Sequence, residues 1–132
     1  MIVVDASVLA NAVGDDGGDG SDARRELRRA GQAAVPALAD VEVVSVLRKR
    51  WLAGDLTAER FADAVDALAN LPLARHSMVP LLSRIYGLRA NVTPYDAAYV
   101  ALAETLGCPL ITIDKALERA PGPQCKIRVL AP

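Results

Sequence analysis

The sequence predicts an α/β protein, a three-layer α/β/α sandwich around a central, mainly parallel sheet of about five strands, with residues 1–132 forming a single domain. Three observations carry this reading. Ile2-Val3-Val4 and Leu110-Ile111-Thr112-Ile113 run apolar without period-two alternation, as strands buried on both faces do. Short strand-like runs alternate with segments of helical length, and that alternation builds a parallel sheet covered by helices. Apolar residues make up 52% of the chain but aromatics only 4%, so the core is built from Ala, Val, Leu and Ile, which suits close helix-on-sheet packing. A chain of 132 residues buries such a core without disulfide or metal staples.

Each element follows in order. The first strand, Ile2 to Asp5, leads into a short helix from about Ser7 to Val13. Residues 14–20, Gly-Asp-Asp-Gly-Gly-Asp-Gly, are expected to form a mobile loop, because glycine and aspartate favour turns over helix. A basic helix over about 22–30 precedes the strand Ala33-Ala34-Val35, which ends at Pro36. A long helix from Ala37 to Ala53 stops at Gly54, and Thr57 caps the next, which reaches about Asn70. A strand near Leu71–His76 and a helix near Met78–Ala90 follow. Thr93-Pro94 opens a helix that Gly107 closes, with Thr93 as cap and Pro94 at the first helical position. Pro109–Ile113, a short helix over Lys115–Arg119 and a last strand over Lys126–Leu130 complete the chain.

Charge and cysteine usage narrow the function classes. Net charge is −1, from 15 Lys+Arg against 16 Asp+Glu, whereas a protein that coats nucleic acid is strongly basic. Any nucleic-acid contact is therefore local or mediated by bound cations. Arg24, Arg25, Arg28 and Arg29 fall along one side of a helix, either as a solvated face or as a rim that tracks phosphates. Cys108 and Cys125 form no CxxC pair and behave as small hydrophobes, which points to a reduced, cytoplasmic protein. Met1-Ile2-Val3-Val4-Asp5 meets a charge after three apolar residues, so no signal peptide is read there, and no apolar stretch approaches a membrane span.

Four acids interrupt or close apolar runs: Asp5, Glu42, Asp96 and Asp114. Each has a structural explanation. Asp5 and Asp114 are good caps for the helices that follow them, and Asp96 fits the third helical position of a capping box opened by Thr93. Glu42 shares a helical stripe with Ser45 and Lys49 and can be read as a solvated residue. Together they point elsewhere. Asp5 and Asp114 end parallel strands, the edge where α/β folds bind ligands, and Glu42 and Asp96 sit early in helices that begin at that edge. Charges about 4 Å apart repel by about 4 kcal/mol even at an effective dielectric near 20, so such a cluster holds protons or a cation. Hard oxygen ligands without His or Cys select Mg²⁺ or Mn²⁺, typical of sites that act on phosphates.

Those residues lie in motifs that resemble the PIN-domain ribonucleases, most closely the VapC-like toxin subunits of VapBC type II toxin–antitoxin pairs. The motifs are Val3-Val4-Asp5-Ala6-Ser7-Val8-Leu9; Val35-Pro36-Ala37-Leu38 with Glu42 and Val46-Leu47-Arg48; Tyr95 to Ala103; and Leu110 to Asp114. Their order and spacing match over essentially the whole chain. The resemblance implies a metal-dependent endoribonuclease that leaves a 3′-hydroxyl. Asp5, Glu42, Asp96 and Asp114 would hold one or two Mg²⁺ or Mn²⁺ ions, and Ser7 and Thr112 either orient carboxylates and waters or are structural hydroxyls. It also implies an RNA substrate, a VapB-like antitoxin that neutralises the site, and a homodimer within a larger complex.

Other readings compete at particular residues. Asp15, Asp19, Gly20 and Glu26 fall at calcium-loop positions, but Gly17 and Asp22 break that pattern and no flanking helix pair is expected, so the segment reads as a flexible rim. Trp51 shares a stripe with Val41, Val44 and Leu47, as core or partner interface, and His76 has neither nucleophile nor ligand cluster. A phosphoryl-transfer domain also places acids at strand ends, yet Asp5 is followed by Ala6-Ser7 and the third strand ends near Arg75-His76 without an acceptor aspartate. A catalytically silent PIN-like module that only binds partners is the remaining alternative.

Overall fold

The structure, a computed structural model, describes residues 1–130. Five strands, β1 (Ile2–Val4), β2 (Ala33–Pro36), β3 (Ala74–His76), β4 (Leu110–Thr112) and β5 (Ile127–Val129), form one sheet in the order β3-β2-β1-β4-β5. All four pairings are parallel, with Val3 beside both Ala34 and Leu110. β1 to β4 are short, and β1, β2 and β4 are buried throughout, which is why their sequences show no alternation. The chain steps outward from β1 through β2 to β3, then returns to the other side of β1 for β4. The order therefore reverses between β1 and β4, and the carboxyl ends of those two strands open the crevice in which such sheets bind ligands.

Helices α1 (Ala6–Gly14), α2 (Gly18–Ala30), α3 (Ala39–Leu52) and α4 (Ala58–Asn70) pack on one another as one layer. On the other layer α6 (Pro94–Leu106) lies across β1, β2 and β4 with α5 (Leu82–Gly87) beside it; α7 (Lys115–Arg119) packs near β5, its start facing α1 and α2. α6 is buried from Ala97 to Ala103, a run of mostly small residues that brings its axis close to the sheet. Thr93 accepts the Asp96 N–H at 3.2 Å and Gly107 ends the helix at φ 65°, a conformation that favours glycine.

Three expectations need correction. The Gly/Asp segment is largely helical: α1 runs through Gly14 and α2 begins at Gly18, leaving only residues 15–17 between them. Asp15 makes this turn, because its carboxylate accepts the Gly20 N–H at 2.7 Å while Arg24 reaches the carbonyls of Ala12 at 3.1 Å and Asp15 at 2.9 Å. A Cβ on Gly20 would stand 1.8 Å from the Asp15 carbonyl oxygen, so glycine there serves close backbone approach rather than looseness. The helix expected over Met78–Ala90 is a 3-10 turn, Val79–Leu81, followed by α5, with Pro80 at its start. Trp51 is not core: it is 43% exposed and leans on Phe61, ring centroids 6.2 Å apart. Among the described residues no helix is long and apolar enough to cross a membrane.

Candidate active site

Asp5 leaves β1 as its backbone N–H donates to the Ile111 carbonyl at 3.1 Å, so the β1–β4 pairing fixes where its side chain starts. It caps α1, accepting the Val8 N–H at 3.1 Å, and its second oxygen accepts the Thr112 hydroxyl from the end of β4. Thr112 is fully buried and also accepts the Asp114 N–H at 3.0 Å, tying both strand ends into one unit. Only 9% of Asp5 is exposed. That burial pushes its carboxyl up from 3.8 to about 6, against the opposing hydrogen bonds from Thr112, Val8 and Ser7, with repulsion from Asp96 adding to the rise.

The helical acids arrive from two layers. Glu42 lies in the first turn of α3 and accepts the Tyr99 hydroxyl of α6 at 2.7 Å. Burial raises its pKa, the Tyr99 hydrogen bond opposes, and Asp96 raises it further. Asp96, half-buried, is raised by burial and then by the charge of Asp114, with Thr93 opposing. Tyr99 stands three residues after Asp96 on α6, one turn along the same face. Its own burial and the neighbouring carboxylates push its pKa far up, so it stays a hydrogen-bond donor.

These groups meet in a cavity of about 170 Å³ lined by Asp5, Glu42, Asp96 and Tyr99, with Ser7, Ser45 and Lys49 among its walls. Asp114 is not among them. It is exposed, caps α7 by accepting the Ala116 N–H at 2.8 Å, and lines a neighbouring cavity of about 420 Å³ with Val8, Asn11, Asp19 and Asp22. It touches the first site through its charge on Asp96 and through the Thr112 bridge. The structure thus draws three of the four sequence-derived acids into one cavity and sets the fourth at its border.

Among the described residues no three Asp, Glu, His or Cys side chains stand close enough, as placed, to hold a metal ion. The chemistry of the donors nonetheless fits a hard divalent cation. They are oxygen ligands only, and burial first, with mutual repulsion added, makes Asp5, Glu42 and Asp96 all bind protons more tightly than ordinary carboxylates. The one cation lining this cavity, Lys49, makes no ion pair among the described residues.

Sequence reasoning missed the parts played by Tyr99, Lys49 and Ser45. The signal was present: Ser45 and Lys49 stand three and seven residues beyond Glu42, so the stripe read as solvated is the wall of the cavity. Of the basic face of α2, Arg24 holds backbone carbonyls and Arg25 makes an exposed pair with Asp22 at 3.2 Å, while Arg28 and Arg29 stay exposed without an ion pair among the described residues.

Comparison with known proteins adds a family. A model of the PIN domain matches residues 2–123. Ribonuclease VapC9 of Mycobacterium tuberculosis (strain H37Rv) is 40% identical over 130 residues, which are 98% of each chain. In three dimensions the chain is similar to the VapBC2 structure from Rickettsia felis, bound to a DNA fragment from its promoter, with TM-score 0.71, 13% identity and coverage of 99% of this chain and 100% of that one. It is also similar to Mycobacterium tuberculosis VapC20, a sarcin-ricin loop cleaving toxin, at TM-score 0.69, 14% identity and coverage of 90% and 94%.

Proposed function

Because this chain belongs to the PIN-domain family, we propose that it is a metal-dependent endoribonuclease, the toxin of a toxin–antitoxin pair, with residues 1–132 working as one domain. The observation that carries the reading is the convergence of Asp5, Glu42 and Asp96 from a strand end and two helices on one cavity, with Asp114 at its border.

Asp5, Glu42, Asp96 and Asp114 would hold Mg²⁺ or Mn²⁺, directly or through water. When bound, such an ion acidifies a water for attack on the scissile phosphate and offsets negative charge developing there. The chain's own residues prepare the site. Thr112 fixes the orientation of the Asp5 carboxylate, and Tyr99 does the same for Glu42. Asp5 titrates near 6, so the cluster is ready to take up a cation from neutral pH upward and gives it up to protons below.

The substrate is RNA and the partner a VapB-like antitoxin, as the names of the relatives suggest. Two separate apolar surfaces suit an antitoxin and a second copy of the chain. One comprises Trp51, Leu52 and Val65, 43%, 58% and 36% exposed; the other comprises Val79, Leu82 and Tyr86, 73%, 53% and 66% exposed. The test compares the wild type with Asp5→Asn on total RNA, with Mg²⁺, with Mn²⁺ and with EDTA. Metal-dependent cutting by the wild type alone is expected, and undiminished cutting by the variant would overturn the assigned site. Mapping the cut ends identifies the RNA.

A further inference from the structure

The candidate site is electrically lopsided. On the side of α1 and α2 the adjoining cavity is lined by Asp19, Asp22 and Asp114, of which Asp22 is paired with Arg25 at 3.2 Å, and by one lysine, Lys115. On the side of α3 the wall carries Ser45 and Lys49, both exposed. Glu42, Ser45 and Lys49 stand at i, i+3 and i+7 on α3, so one helical stripe presents in turn a carboxylate, a hydroxyl and an ammonium to the same opening. The Lys49 side chain belongs to a cavity with three carboxylates yet makes no ion pair within the described residues. An ammonium spent on stabilising the fold would be paired; this one is available to an incoming anion.

Resting on the ribonuclease reading above, we infer that Lys49 is the phosphate-binding residue of this site and that single-stranded RNA crosses it over α3 rather than over the α1–α2 rim. A lysine ammonium meets a non-bridging phosphate oxygen as a point charge and donates up to three hydrogen bonds without demanding one fixed geometry. Ser45, one turn back toward Glu42, offers a hydroxyl to the same or the neighbouring phosphate. On the opposite rim the Asp19 carboxylate has no ion pair among the described residues and repels a polyanion, which favours the side of α3.

The test measures RNA binding rather than cutting. Asp5→Asn serves as the parent, and its affinity for a short single-stranded RNA is titrated in Mg²⁺ over a range of salt by fluorescence anisotropy. Lys49→Ala in that parent is expected to weaken binding severalfold and to reduce the slope of log affinity against log salt by about 0.7, the counterion release of one phosphate contact on a single strand. Lys49→Arg is expected to restore the slope. Arg28→Ala, which removes an exposed charge from the far basic face of α2, is expected to leave it unchanged. An unaltered slope in Lys49→Ala, or an equal loss in Arg28→Ala, overturns the inference while the ribonuclease reading stands. A parent that binds no RNA, together with a wild type that cuts none, overturns both.

Discussion

Removing the charge of Asp5 is expected to stabilise the metal-free protein at neutral pH and to leave it unchanged at acid pH. Asp5 is 9% exposed, and burial raises its pKa from an ordinary 3.8 to about 6. Below about pH 3 the carboxyl keeps its proton folded or unfolded. Between 3.8 and about 6 the unfolded chain has released the proton while the native one holds it, so stability present at low pH is lost as pH rises through the folded value. At roughly 1.4 kcal/mol per pH unit that gap amounts to about 3 kcal/mol above pH 7. Asn caps a helix as well as Asp and still accepts from Val8, so Asp5→Asn removes the charge and keeps the N-cap; its amide then donates to Thr112 where the carboxylate accepted, which offsets part of the gain. Urea unfolding in EDTA at pH 8 is expected to show the variant more stable by up to about 3 kcal/mol, with the advantage gone by about pH 3. Added Mg²⁺ stabilises the wild type at pH 8 and not the variant. A variant less stable at pH 8, or a difference equal at both pH values, would refute a buried carboxylate strained by its charge.

Two further outcomes follow from single contacts. Tyr99→Phe removes the hydroxyl that holds Glu42 at 2.7 Å and opposes its upward pKa shift; calorimetry is expected to show Mn²⁺ binding weakened by about tenfold or more, and the acid limb of RNA cleavage moved to higher pH. Gly20→Ala forces a Cβ to 1.8 Å from the Asp15 carbonyl oxygen, whereas nothing lies within 4 Å of a Cβ on Gly18. Thermal unfolding is expected to show a loss of at least about 2 kcal/mol for the first and near neutrality, or a gain of up to about 1 kcal/mol, for the second.

The fold was legible wherever one local rule acted alone. The apolar runs at Ile2–Val4 and Leu110–Thr112 could only be doubly buried strands, and Thr93-Pro94 with Gly107 bounded α6 at both ends. Where two rules competed, composition misled. The Gly/Asp segment has the makeup of a loop, yet the Asp15 carboxylate and Arg24 supply capping hydrogen bonds that composition does not reveal. Trp51 shares a helical period with Val41, Val44 and Leu47, but only Leu47 of these is buried, and α3 leaves Val41 and Trp51 at the two ends facing solvent, Trp51 beside Phe61.

For the site, the sequence alone determined which residue types and motifs are present, the order in which they occur and, through spacing, that Asp5 and Asp114 end strands while Glu42 and Asp96 begin helices. Side-chain environment was decided only in three dimensions, because it depends on neighbours far away in the chain. Thr112, 107 positions from Asp5, and Tyr99, 57 from Glu42, hold the two carboxylates. The tertiary structure likewise set the Glu42–Ser45–Lys49 stripe along the opening of the cavity, placed Asp114 on the border rather than in the cavity, and buried Asp5 deeply enough to shift its titration toward neutrality. A sequence carries charge and spacing; desolvation and mutual repulsion exist only once folding has brought the charges together.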